Sequence, residues 1–182
     1  MAENIEAPVL FFAPFVSTAM RVEPQWIDYN GHLNVAYYLL LFDRAVDECY
    51  GLLGIGEDYA KTRNASLFVA EAHLGYRREL KVGDPVRVTL QLLDFDDKRL
   101  HYCMEMRHAH EGWLAATCEN MSLHVDTASR RVAAFPDDIL AGLALLKAAH
   151  SRLARPEHAG RRIAMRQGGS EGGSEVEGQR RH

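Results

Sequence analysis

The run Val35-Ala36-Tyr37-Tyr38-Leu39-Leu40-Leu41-Phe42 constrains this chain more than any other segment. Read as the first two turns of a helix, it is apolar on every side, and such a helix has to be surrounded. No apolar stretch approaches the roughly 20 residues of a membrane span, so protein rather than lipid is the expected surround. Asn34 is a suitable N-cap for a helix from Val35 to Leu53, charges enter only at Asp43, Arg44, Asp47 and Glu48, and Gly51 and Gly54 mark its end.

What surrounds this helix is legible in a change of period from 3.6 to 2. Val16 to Gln25 alternates weakly and reads as a first strand. In Leu67 to Arg78 the even positions Phe68, Ala70, Ala72, Leu74 and Tyr76 form an apolar face, with Glu71, His73 and Arg77 on the other. Gly83-Asp84-Pro85 and Asp96-Asp97-Lys98 make turns that separate Val86, Val88, Leu90, Leu92 from Leu100, Tyr102, Met104, Met106. Gly112 introduces a last strand from Trp113 to Val125. Pro136, Asp137 and Asp138 suit the first turn of a closing helix through about Leu153. One apolar face per strand fits an antiparallel sheet covered on one side. The class is therefore α+β, a sheet curled around one helix.

At 182 residues, with 47% hydrophobic and 25% charged residues, the chain is expected to form one globular domain over 1–154. Residues 155–182 are rich in Gly, Ser, Arg and Glu and poor in apolar groups, and a disordered tail is expected there. A net charge of −4 leaves no footprint for nucleic acid. The N-terminus carries Glu3 and Glu6 without a basic region, and Cys49, Cys103 and Cys118 lack metal-ligand spacing. Those features point to a cytoplasmic protein with reduced thiols.

Directly before the helix stands Trp26-Ile27-Asp28-Tyr29-Asn30-Gly31-His32-Leu33-Asn34. A carboxylate, two carboxamides and an imidazole beside a core-bound segment are costly unless they hold a ligand or cap the helix. The spacing Asp28, Gly31, His32, Asn34 and Tyr38, with Tyr76 leading to Gly83-Asp84, resembles hotdog-fold thioesterases of the 4-hydroxybenzoyl-CoA thioesterase type. The likeness covers roughly residues 16 to 135. Within that family the loop and Glu71-Ala72-His73 look most like the thioesterases linked to carnitine and betaine breakdown. Two positions depart from the pattern: Trp26 stands where many relatives have a second acid, and Val35 where they have an asparagine.

The resemblance implies hydrolysis of a small acyl-CoA thioester, with coenzyme A belonging to the substrate and no separate cofactor. It implies a homodimer or homotetramer with sites between subunits. Asp28 would act as nucleophile or general base, and backbone N–H groups from Gly31 to Val35 would hold the carbonyl oxygen. His32 would donate to that oxygen or orient Asp28, and Asn34 would assist while capping the helix. Glu71 would supply the second carboxylate that position 26 lacks. Asn30, Gly31, Tyr38 and His73 would contact substrate, and Lys98 and Arg99 the phosphates of coenzyme A. Each has a plainer reading. Asp-Tyr-Asn-Gly is a good turn, Tyr38 suits a core, and Lys98-Arg99 suits a solvated hairpin tip. Asp43 and Asp47 form a further acidic pair on the helix, beside Arg44 and Glu48 at salt-bridge spacing. Trp26, Tyr37, Tyr38 and Tyr50 would suit an aromatic cage for a quaternary ammonium, or plain core packing.

Two rivals stay open at this point. Hydratases of the same fold carry Asp-x-Asn-Pro-x-His, whereas here Gly31 replaces the proline and His32 lies one residue closer to Asp28. A non-catalytic acyl-CoA-binding module is the other.

Overall fold

A computed structural model of the protein describes residues 13–165. Its strands are β1 (Phe15–Val16), β2 (Met20–Arg21), β3 (Ala65–Tyr76), β4 (Pro85–Phe95), β5 (Arg99–His108), β6 (Leu114–Asp126) and β7 (Arg131–Val132). They form one antiparallel sheet in the order β1-β4-β5-β6-β3, with β2 pairing β4 and β7 pairing β6. The helices are α1 (Val35–Leu52), α2 (Glu57–Arg63) and α3 (Asp137–His150). Leu41, Phe42, Ala45, Val46 and Cys49 of α1 join Val86, Val88, Leu90, Leu100, Tyr102, Met104 and Met106 of the sheet in one buried core. The period-two reading of β4 and β5 thus names the residues that bury.

Elsewhere the structure corrects the expectation. The first strand is broken into β1, β2 and a 3-10 turn at Pro24–Trp26. Glu48 of α1 draws the chain away between β1 and β2 by accepting from the Thr18 N–H and hydroxyl, and Pro24 has no N–H to continue a ladder. In β3 a bulge between Val69 and Glu71 switches the faces. Before it Leu67 and Val69 lie opposite His124 and Ser122; after it Ala72, Leu74 and Tyr76 lie opposite Asn120, Cys118 and Ala116. Phe68 therefore falls on the outer face, half exposed. The α2 helix has no apolar period to announce it, only acids at its start and bases at its end.

The closing helix begins after Pro136, which is its N-cap, and stops at His150 rather than Leu153. Leu92 N–H donates to His150 Nδ1 and Lys147 Nζ to Leu93 O, fixing α3 on β4. Past position 154 the chain stays on the sheet: a turn at Pro156–Ala159 buries His158, and Gly160 N–H donates 2.7 Å to Glu119 on β6. The rest of the expected tail, 166–182, lies outside the described residues.

α1 is not enclosed all round. Val35 is 57% and Leu39 41% exposed, and Ala36 and Asp43 are exposed with them. That strip adjoins β3, an edge strand whose outer side pairs with nothing among the described residues.

Candidate active site

Asp28 shapes its own loop. Its N–H donates to His32 O (2.9 Å), its carbonyl accepts from Gly31 N–H (3.0 Å), and Ile27 pairs with Leu33 across the tip. Gly31 has φ +79°, a left-handed conformation that side chains resist. Asp28 Oδ1 accepts the N–H of Asn30 at 2.8 Å and of His32 at 3.4 Å. The second oxygen has no hydrogen bond among the described residues. The turn reading and the chemical reading of Asp28 are therefore compatible: one oxygen holds the loop and the other is available.

Of the backbone N–H groups from Gly31 to Val35, most are already used. Gly31 donates to Asp28 O, His32 to Asp28 Oδ1, Leu33 to Leu80 O (2.8 Å) and Asn34 to Trp26 O (2.9 Å). Val35, the first residue of α1, has no acceptor among the described residues, and it stands at the positive end of the helix dipole. Asn34 is the N-cap, accepting from Ala36 N–H at 3.0 Å.

His32 does not contact the Asp28 side chain through its ring. Its Nε2 lies 3.1 Å from Glu79 Oε2, a partner from the segment between β3 and β4. Tyr38 is 4% exposed and its hydroxyl accepts from Leu80 N–H at 3.2 Å. Burial raises its pKa, so it stays protonated. It packs edge-on against Tyr76 and belongs to the wall rather than to an open cleft. Asn30 is exposed at the loop tip.

Trp26, standing where an acid was absent, is buried. Its ring stacks on Tyr37 at 5.5 Å and carries the Arg44 guanidinium at 5.1 Å. Arg44 also pairs with Glu23 at 3.7 Å, while Glu48 serves Thr18, so the spacing-based Arg44–Glu48 bridge is not made. Tyr50 packs on Tyr102 instead of joining a cage. Asp43 and Asp47 border a groove with Val46, Tyr50, Leu67 and Val69, and burial plus the nearby Asp43 raises the Asp47 pKa.

Other expected residues are elsewhere. Glu71 and His73 face outward with His101 and Glu119, on the opposite side of the sheet from α1, so one protomer does not bring Glu71 to Asp28. Lys98 ends the β4–β5 turn and Arg99 opens β5, at the far end of the 11-residue β4 from the Asp28 loop, roughly 35 Å away at 3.3 Å per residue. Arg99 is tied to Asp96 at 2.5 Å and Lys98 lies 3.7 Å from Asp97, and the guanidinium holds the Asp96 carboxyl below its usual range. Sequence reasoning missed Glu79, and nothing local marks it as the partner of His32.

Residues 22–143 match the thioesterase-like superfamily. The chain is 40% identical over 144 residues to the betainyl-CoA thioesterase of Pseudomonas aeruginosa, which covers 79% of this chain and 91% of that protein. It is 33% identical over 146 residues to an L-carnitine dehydrogenase/betainyl-CoA thioesterase of Rhizobium meliloti, 80% of this chain but 29% of that longer protein. A Staphylococcus aureus protein solved in complex with CoA superposes with TM-score 0.79 at 29% identity, covering 88% of this chain and all of that one. A 1,4-dihydroxy-2-naphthoyl-CoA thioesterase from Synechocystis shares the fold at TM-score 0.65 and 15% identity, over 72% of this chain and 96% of that one. The chain belongs to the thioesterase-like superfamily and is a thioester hydrolase of the hotdog fold.

Proposed function

We propose that the protein hydrolyses betainyl-CoA, releasing betaine and free coenzyme A, with Asp28 as the reacting carboxylate. Acyl-CoA thioester hydrolysis is the activity of the class. The betainyl group is carried by one observation, the 40% identity to a betainyl-CoA thioesterase over nearly its whole length. The free Asp28 oxygen either deprotonates a water or attacks the carbonyl itself, and both routes break the C–S bond and expel the thiolate. Val35 N–H, without an acceptor among the described residues and at the helix start, is the donor proposed to hold the oxyanion. His32, anchored by Glu79, borders the same loop. Label found in Asp28 after a single turnover in isotopically labelled water would identify direct attack, through an anhydride that water opens at the Asp28 carbonyl.

The proposed working form is a homodimer joined through β3. A 12-residue edge with no outer partner among the described residues, the exposed Val69 and the open Val35–Leu39 strip of α1 support it, because long apolar edges and all-round apolar helices are otherwise liabilities. Cytoplasmic location is supported by three buried free cysteines, whose thiols burial pushes up to about 12. Among the described residues no helix is long and apolar enough to cross a membrane.

A thiol-release assay across betainyl-, short-chain and aromatic CoA thioesters tests the substrate. The expected result is a kcat/KM highest for betainyl-CoA. Equal or better turnover of neutral acyl groups would remove the betainyl assignment while leaving the hydrolase.

A further inference from the structure

The outer face of the sheet carries a groove of about 840 Å³ that the Asp28 chemistry does not use. Its floor is Thr89, Gln91, Cys103 and Thr117, from β4, β5 and β6, and its wall is the 154–161 segment. Four guanidinium groups line it: Arg77, Arg107, Arg155 and Arg161. Arg107 is neutralised, since Glu105 accepts from both its Nε and Nη2 at 3.0 and 2.8 Å. Arg77, Arg155 and Arg161 have no carboxylate within salt-bridge distance among the described residues. Glu157 is the remaining acid of the lining. In a protein of net charge −4, this local excess of cations is a departure that needs a counter-charge.

A second feature lies at the same place. His158 is 7% exposed, and its Nε2 has no hydrogen-bond partner among the described residues. It lines both the groove and an adjoining cavity of about 20 Å³ shared with His73, Gly75, Thr117 and Arg161. A buried polar nitrogen left unmatched is costly, and the turn at Pro156–Ala159 holds it there nonetheless.

We propose that this groove binds phosphate groups, with Arg77, Arg155 and Arg161 as the forked donors and the His158 imidazole beside them. Guanidinium groups lining one groove over a polar floor suit phosphate oxygens, which accept paired N–H bonds. One source is the phosphate-bearing end of the CoA thioester, which rests on the function proposed above. Arg77 follows β3 directly and stands two residues from Glu79, the partner of His32, so the groove opens at the end of the sheet where the Asp28 loop lies. The other source is a separate phosphate-bearing effector.

Isothermal titration of the full-length protein with coenzyme A, pantetheine and inorganic pyrophosphate tests the site, wild type beside Arg155→Gln/Arg161→Gln. Both side chains are exposed, so the variant is expected to fold, and Arg77→Gln provides an independent check. The expected result is binding of coenzyme A weakened about ten-fold or more with pantetheine unchanged, the loss of a charge-assisted fork. Pyrophosphate binding lost with coenzyme A unaffected also supports the site and assigns it to an effector. Unchanged affinity for both anions in all variants, or no binding of either by the wild type, overturns it. Because binding is read rather than thiol release, a failed hydrolysis assay and a failed phosphate site are told apart.

Discussion

Tyr38 shows how much a single side chain can carry within the fold. Its hydroxyl is the acceptor for the N–H of Leu80, a residue with 0% exposure. Tyr38→Phe leaves that N–H without a partner, and the expected cost is about 1–3 kcal/mol of unfolding free energy. Urea denaturation of the two proteins measures it; identical midpoints would mean water replaces the hydroxyl. The pairing illustrates what a sequence holds and what it hides. The turn from Asp28 to Gly31 and the Asn34 cap depend on neighbours within a few residues and were legible. Leu80 for Tyr38, and Glu79 for His32, are brought in by the fold from more than 40 residues away, and no local pattern names them.

At the scale of elements, α1 depends on its N-cap. Asn34→Ala removes the bond to Ala36 N–H and is expected to cost about 1 kcal/mol, with the helix otherwise intact. Its effect on turnover tests the site as well, because fraying would displace the open Val35 N–H. β3 is the second element with a consequence. Its alternation was readable, but the bulge after Val69 reverses the faces, and a bulge has no signature in a run such as Phe68-Val69-Ala70. The reversal puts Val69, not Phe68, beside the open strip of α1. Val69→Lys is expected to keep the protomer folded and to shift the protein to monomer, read by sedimentation velocity. A dimer that persists unchanged would move the interface elsewhere. β4 and β5 were legible because both are interior strands with a single buried face, whereas β3 is an edge strand with β6 as its one partner among the described residues.

At the scale of the whole molecule, the segment beyond position 154 is stitched to the sheet by Glu119, which accepts from Gly160 N–H and from His101 at 2.8 Å. Burial pushes the Glu119 pKa up, and these bonds outweigh it, leaving the carboxyl below its usual value. A depressed carboxylate adds stability above its unfolded value, about 4.3, and that contribution is lost as pH falls through the lower folded value. The wild type is therefore expected to lose more stability than Glu119→Gln between about pH 5 and pH 3. Denaturation midpoints of both proteins across that window check the sign, and parallel curves would contradict it. Composition placed a boundary at 154 because Arg, Glu and Gly dominate beyond it. The bond that ties this segment to the sheet runs from Gly160 N–H to the Glu119 carboxylate, a kind of attachment that composition does not register.

The proposed hydrolysis turns on Asp28. Thiol release from betainyl-CoA by the wild type and by Asp28→Asn, with circular dichroism to match their folds, tests it most directly. The amide can still accept the loop N–H bonds through its carbonyl oxygen, so the fold is expected to persist while kcat falls about 10²–10⁴-fold. An Asp28→Asn protein that releases thiol at nearly the wild-type rate would contradict the account and return the reaction to another carboxylate.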